Sequence, residues 1–176
     1  RIGRRLSDLV APMNIRVLAY YPSQETKDLP DHVSRASSVE RVFEAADFIS
    51  LHCPLTERTR GLINRDTIAA MKDGVLLVNT ARGALIAQDD LVEALETGKV
   101  GGAALDVFEH EPIPGDHPLL GLENVVLTMH VAGMSDQSFT NVGLQAVRNV
   151  LSVLGGERVD LGSVANPETL APQSCR

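Results

Sequence analysis

The apolar positions of this chain fall into short continuous runs separated by stretches with helical spacing. The runs are 15–20, 47–52, 75–78, 101–105 and 124–128, and each stops at polar or turn-forming residues such as Tyr21-Pro22-Ser23, Cys53-Pro54 and Asn79-Thr80. Apolar runs this short, bounded in this way, predict buried strands. Between them, residues 39–46, 65–71 and 89–95 place apolar side chains on one helical face. Ser38 and Asn64 stand where N-caps belong, and Gly98 stands where a helix should stop. A helix opens the chain over 1–10, with Ile2, Leu6, Leu9 and Val10 on one face and Pro12 ending it. The pattern further predicts a short strand near 32–36, a long Pro- and Gly-rich loop over 107–124, and a long helix. That helix is capped by Ser135 or Asp136, reaches Leu154 and is closed by Gly155-Gly156.

Strands that alternate with helices and are apolar throughout predict a parallel sheet covered on both faces. The expected fold is therefore α/β, a doubly wound parallel sheet of Rossmann type. Ligands of such sheets bind outside the carboxyl ends of the strands. In the unit 74–106, read as strand, loop, helix and strand, Arg82 and Asp106 would face one crevice. The order 3-2-1-4-5-6 puts strand 1 in the middle. That strand would precede Arg1, so the first strand is expected to lie outside these residues.

Composition narrows the function classes. A net charge of −7 argues against nucleic acid as the main partner, since phosphate binding needs a basic face. No apolar run approaches the roughly 18 residues that a membrane span needs. Cys53 and Cys175 lie far apart and form no metal or disulfide pattern, so no metal is expected and a cytoplasmic setting is the default.

Three polar residues follow successive strands: Arg82, Glu111 and His130. Singly, each has an ordinary structural reading as a surface ion pair, a solvated loop acid or a core histidine. Together they suit hydride transfer to a 2-oxo acid. Arginine offers a planar fork to a carboxylate. A protonated histidine can donate to the carbonyl oxygen, and a neighbouring glutamate orients the ring. Arg1-Ile2-Gly3 resembles the end of a G-x-G-x-x-G phosphate-binding turn. At the next strand end an acid would bind the ribose hydroxyls of NAD. Tyr21 stands there instead, either as a lid on the ribose or as a sign of NADP use with Ser23 near the 2′-phosphate; no Arg immediately follows it. Asp106 is either a turn former or an acceptor for a nicotinamide carboxamide.

Four motifs then identify a resemblance. They are Leu51-His52-Cys53-Pro54-Leu55-Thr56 with Thr59-Arg60-Gly61-Leu62-Ile63; Met71-Lys72-Asp73-Gly74 through Asn79-Thr80-Ala81-Arg82-Gly83; Ala103-Ala104-Leu105-Asp106-Val107-Phe108-Glu109-His110-Glu111-Pro112; and His130-Val131-Ala132-Gly133. In combination they resemble the cofactor domain of the D-isomer-specific 2-hydroxyacid dehydrogenases, from residue 1 to about 155. The resemblance implies that Arg82 binds the substrate carboxylate, His130 is the acid/base and Glu111 pairs with it. It implies that Arg1, Ile2, Tyr21, Pro22, Cys53, Pro54, Thr59, Thr80, Ala81, Asp106 and Gly133 line the cofactor, NAD or NADP. It also implies a homodimer acting on a small 2-oxo acid, of glyoxylate, hydroxypyruvate or phosphoglycerate type. The expected domains are an incomplete dinucleotide-binding domain over 1–134 and, over 135–176, a helix and tail returning to a substrate domain whose body lies outside this sequence. Two departures stand out: Met129 replaces a proline usual before the histidine, and Tyr21 replaces the usual acid. The retained Glu111 argues against the formate dehydrogenase branch. A dinucleotide-sensing, corepressor-like interaction protein on the same scaffold, or an inactive truncated fragment, is the alternative reading.

Overall fold

β1 (Val17–Ala19) and β2 (Val33–Arg35) pair in parallel as a two-stranded sheet. β3 (Phe48–Leu51), β4 (Val75–Asn79), β5 (Val100–Leu105) and β6 (Val125–Leu127) form a second sheet in that order, every pair parallel. These elements come from a computed structural model that describes residues 2–21, 29–157, 162, 164 and 165. The chain divides into two compact units, one through Ala132 and one from Gly133 on.

The helices start where local chemistry satisfies their first amides. α1 spans Ile2–Val10. α2 (Val39–Ala45) is capped by the Ser38 hydroxyl, which accepts from the Arg41 amide. α3 (Arg65–Ala69) begins with a reciprocal box: Asn64 Oδ1 accepts from the Asp66 and Thr67 amides, and the Thr67 hydroxyl accepts from the Asn64 amide. α4 (Gln88–Glu96) begins one residue before the expected Asp89, with no side-chain cap, and stops where Gly98 takes φ +76°. In the second unit, α5 (Asp136–Leu154) opens with a Ser135–Ser138 box and buries none of its residues. Among the described residues no helix is long and apolar enough to cross a membrane.

The core lies between the larger sheet and its helices. Phe43, Ile68, Leu91 and Leu95 pack with Ile49, Leu77 and Leu105 in one apolar cluster. The covering is less even than continuous apolar runs suggest. In β4, Val75, Leu77 and Asn79 are buried while Leu76 and Val78 are half-buried. In β3 and β6, Phe48 and Val126 are 70% and 65% exposed. Among the described residues β3 and β6 are the two edges of their sheet, so each has a neighbour on one side only. Three short 3-10 turns, Ala11–Met13, Gly83–Leu85 and Pro118–Gly121, were not predicted from the sequence.

Candidate active site

β4, β5 and β6 are parallel and adjacent, so the loops leaving their carboxyl ends meet. Those loops carry Arg82, Glu111 and His130, and all three line one open cleft of about 280 Å³ with Leu55 and Phe108.

Each side chain is held by the loop next to it. Buried Asn79 ends β4 and shapes the turn that follows: its Oδ1 accepts from the Ala81 amide at 3.0 Å and its Nδ2 donates to the Arg82 carbonyl at 2.9 Å. Among the described residues the Arg82 guanidinium has no acidic partner; it donates to the Ala81 carbonyl. Glu111 Oε1 accepts from the Phe108 amide at 2.9 Å, and the Glu109 amide donates to Gln88 Oε1 at 2.8 Å. Glu111 Oε2 then faces His130 Nδ1 at 2.8 Å. The hydrogen bond from His130 is the main cause that holds the Glu111 carboxyl below its ordinary range, and the Phe108 amide adds to it. An ionised Glu111 fixes the proton on Nδ1 and leaves Nε2 as the atom that can act in the cleft.

His130 has φ +58°, a left-handed conformation that a non-glycine residue adopts only when its surroundings impose it. The imposing group is Asp106, at the end of β5. Its carboxylate is buried, at 4% exposure, and accepts from Thr128 Oγ1 and the Val131 amide through Oδ1, and from the Ala132 amide through Oδ2. These three donors bracket His130 in sequence. Burial pushes the Asp106 carboxyl up, but the bonds from Thr128 and the two amides outweigh it and leave it below the ordinary value. Neither sequence reading of Asp106 included this positioning of His130. Oδ2 keeps acceptor capacity beyond the Ala132 amide, because a carboxylate offers about four acceptor positions.

The sign of this shift makes a test. A depressed native pKa adds stability above the unfolded value of about 3.9, and that stability is lost as pH falls through the lower native value. Asp106→Asn places an amide N–H against one of the loop donors and is expected to cost about 1–3 kcal/mol near neutral pH. In denaturant titrations the gap between wild type and variant should stay constant above about pH 5 and shrink below about pH 4. A gap independent of pH would mean that the charge of Asp106 does not hold the loop.

The remaining sequence-predicted residues lie mainly at strand ends. Ile2 starts α1, Tyr21 follows β1, Cys53-Pro54 follow β3 and Thr80-Ala81 follow β4. Thr59 Oγ1 donates to the Pro54 carbonyl at 2.7 Å and ties down that loop. Burial pushes the Cys53 thiol up, which suits a lining residue rather than a nucleophile. The Tyr21 ring carries the Arg35 guanidinium 4.7 Å from its centre. Gly133 opens the second unit. Arg1 and Pro22, and with them Ser23, lie outside the described residues.

Residues 1–132 match the family model for the NAD-binding domain of the D-isomer-specific 2-hydroxyacid dehydrogenases. The chain belongs to that family. It is 42% identical over 158 residues to a hydroxypyruvate reductase of Thermotoga maritima, covering 88% of this chain and 50% of that protein. Its fold matches D-lactate dehydrogenase with NAD+ from Lactobacillus jensenii at a TM-score of 0.82 and 31% identity, over 90% of this chain and 51% of that one. It matches a D-isomer-specific 2-hydroxyacid dehydrogenase of Xanthobacter autotrophicus, in complex with NADPH and MES, at a TM-score of 0.78 and 28% identity, over 90% and 64%. The chain thus spans about half the length of the curated relatives it matches.

The residues present fit a dinucleotide. Gly3 lies at the start of α1, where a Cβ would stand 3.2 Å from the His52 ring. Its bare backbone therefore lets the helix start come close to the end of β3, the packing role of the last glycine in the phosphate-binding turn.

Proposed function

We propose that the protein of which this chain forms the cofactor domain is an NAD(P)-dependent D-2-hydroxyacid dehydrogenase. In this reading it works as a reductase of small 2-oxo acids of glyoxylate, hydroxypyruvate or phosphoglycerate type. The observation that carries the reading is the Glu111–His130 pair in the same cleft as Arg82, whose guanidinium has no acidic partner among the described residues. Arg82 would take the substrate carboxylate in a bidentate grip, because its fork matches the two oxygens. That grip aims the 2-oxo carbon at the cofactor side of the cleft and its carbonyl oxygen at His130. A bound nicotinamide dinucleotide supplies the hydride. His130 gives its Nε2 proton to the carbonyl oxygen, which becomes the product hydroxyl, and Glu111 stabilises the imidazolium beforehand. In the oxidative direction Nε2 takes the proton back. Arg1, Ile2, Gly3, Tyr21, Pro22, Cys53, Pro54, Thr59, Thr80, Ala81 and Gly133 would line the dinucleotide. Asp106 would offer its remaining acceptor capacity to the carboxamide.

The reading extends to a cytoplasmic homodimer in which α5 returns to the substrate domain; most of the tail expected to return with it lies outside the described residues. Support for that return is the apolar, exposed surface of α5, including Phe139, Val142 and Leu154.

The test is Arg82→Ala in the full-length protein. Activity on glyoxylate and hydroxypyruvate should fall roughly 100-fold or more in kcat/KM, as for loss of one partner of a buried charge pair, with dinucleotide affinity unchanged. Equal loss of turnover and cofactor binding would mean that Arg82 does not bind the substrate. Tight dinucleotide binding by wild type with no turnover of any 2-oxo acid would favour the sensing protein.

A further inference from the structure

Among the described residues the buried polar side chains are Ser7, Asn79, Gln88 and Asp106. Ser7 bonds within its own helix, to the Arg4 carbonyl. Asn79 and Asp106 shape the loops of Arg82 and His130. Gln88, the first residue of α4, is left to explain. It is 7% exposed, and its Nε2 is buried with no hydrogen-bond partner among the described residues. An orphaned donor costs stability, and an apolar side chain of similar length would avoid that cost. What the side chain supplies is at its other atom: Oε1 accepts from the Glu109 amide at 2.8 Å, 21 residues away. That bond also fixes which way the side-chain amide faces, because Nε2 cannot accept.

The Glu109 amide belongs to the peptide that joins it to Phe108, and that peptide is gripped from two sides. Its carbonyl lies against Gly83, where an added Cβ would stand 1.9 Å from it. Its N–H is held by Gln88. Both grips come from one short segment, 83–88, directly after Arg82. This segment is itself pinned. The Ile63 amide donates to the Leu85 carbonyl at 3.0 Å, and the Ala87 amide donates to the Ile63 carbonyl at 2.8 Å. Ile63, Leu85 and Leu91 are all buried, so the start of α4 is anchored in the core. One residue before the gripped amide, the Phe108 amide donates to Glu111 Oε1, and Glu111 Oε2 faces His130 Nδ1. A shift of the Glu109 amide is therefore passed to the carboxylate that orients His130.

We propose that Gln88 is a positioning residue: from the start of α4 it holds the Phe108–Glu109 peptide so that Glu111 orients His130 in register with Arg82. The inference rests on the function proposed above and adds to it a residue that acts through Glu111 rather than on the substrate.

Stopped-flow reduction of hydroxypyruvate by the full-length protein at saturating dinucleotide tests it. Gln88→Met keeps the length of the side chain and removes the acceptor, whereas Gln88→Glu keeps an acceptor for the Glu109 amide. Gln88→Met should lower kcat roughly 5- to 30-fold, the worth of one hydrogen bond to a buried amide. KM for hydroxypyruvate and dinucleotide affinity should stay within about twofold, because the Arg82 grip is untouched. Gln88→Glu should restore most of the rate. In a Glu111→Ala background Gln88→Met should add less than about twofold, because the two changes act through one carboxylate. Full additivity there would mean that Gln88 does not act through Glu111 and would overturn the proposal. So would a wild-type rate in Gln88→Met, or an equal loss in Gln88→Met and Gln88→Glu, which marks a purely structural position. These results leave the functional reading intact; a wild type that reduces no 2-oxo acid would overturn both. If Gln88→Met does not fold, Gln88→Asn takes its place, since its amide is one methylene too short to reach Glu109.

Discussion

Replacing His130 with glutamine in the full-length protein is expected to lower turnover of 2-oxo acids roughly 10²- to 10⁴-fold, the usual worth of a positioned proton donor. Glutamine can still reach toward Glu111, but it has no proton to give at the position of Nε2. The loss should therefore fall on kcat, with KM for the 2-oxo acid and the affinity for dinucleotide nearly unchanged, because Arg82 and the strand-end loops are untouched. Glu111→Gln should have a smaller effect in the same direction. It removes the charge that favours imidazolium but keeps an acceptor 2.8 Å from Nδ1. Stopped-flow measurement of reduction with saturating cofactor would separate these effects. An unchanged rate in His130→Gln would refute the acid/base role.

The second large effect is expected at Gly83. A Cβ there would stand 1.9 Å from both the carbonyl carbon and oxygen of Phe108 and 2.5 Å from the Glu109 nitrogen. The obstacle is backbone rather than a flexible side chain, so no rotamer change relieves it. That backbone is not free to move. Phe108 is buried, its amide holds Glu111, and the Glu109 amide is held by Gln88. Gly83→Ala must therefore push the Arg82 turn and the Glu111 loop apart. We expect a stability loss of at least about 3 kcal/mol, the upper end of ordinary overpacking. In thermal unfolding this corresponds to roughly 6–12 °C for a domain of about this chain's length. Gly115→Ala is the control, because a Cβ at Gly115 would meet nothing within 4 Å. It should change stability by less than about 0.5 kcal/mol. A Gly83→Ala protein as stable as the control would mean that the two loops are not packed as described.

Both experiments concern contacts between loops, and there the sequence stops being informative. Helix starts were legible because a cap is a local event. Ser38, Asn64 and Ser135 satisfy amides two or three residues ahead, and all three cap as expected. α5 ends where its double glycine predicts, with Gly156 at φ +69°. The strands were legible as apolar runs, although pairing trims them: the run 15–20 contributes only Val17–Ala19 to β1. α4 was misplaced by one residue because Ala87 offers no capping side chain to read. The edge position of β3 was legible, because the order 3-2-1-4-5-6 puts its neighbour before Arg1, whereas the exposure of Val126 had no such signal.

The candidate site divides in the same way. Residue types and motifs were enough to select Arg82, Glu111 and His130. That Glu111 meets His130 across 19 residues of chain follows only from the adjacency of β5 and β6. The hold of Asp106 on the loop around His130, and the position of Arg35 over Tyr21, have no local signal at all. Capping, helical period and turn formation act over a few residues, so the sequence by itself determined the elements, their order and the kinds of chemistry available. Strand register acts between distant segments, so only the tertiary structure decided which charges share a cleft and which carboxylate holds the His130 loop.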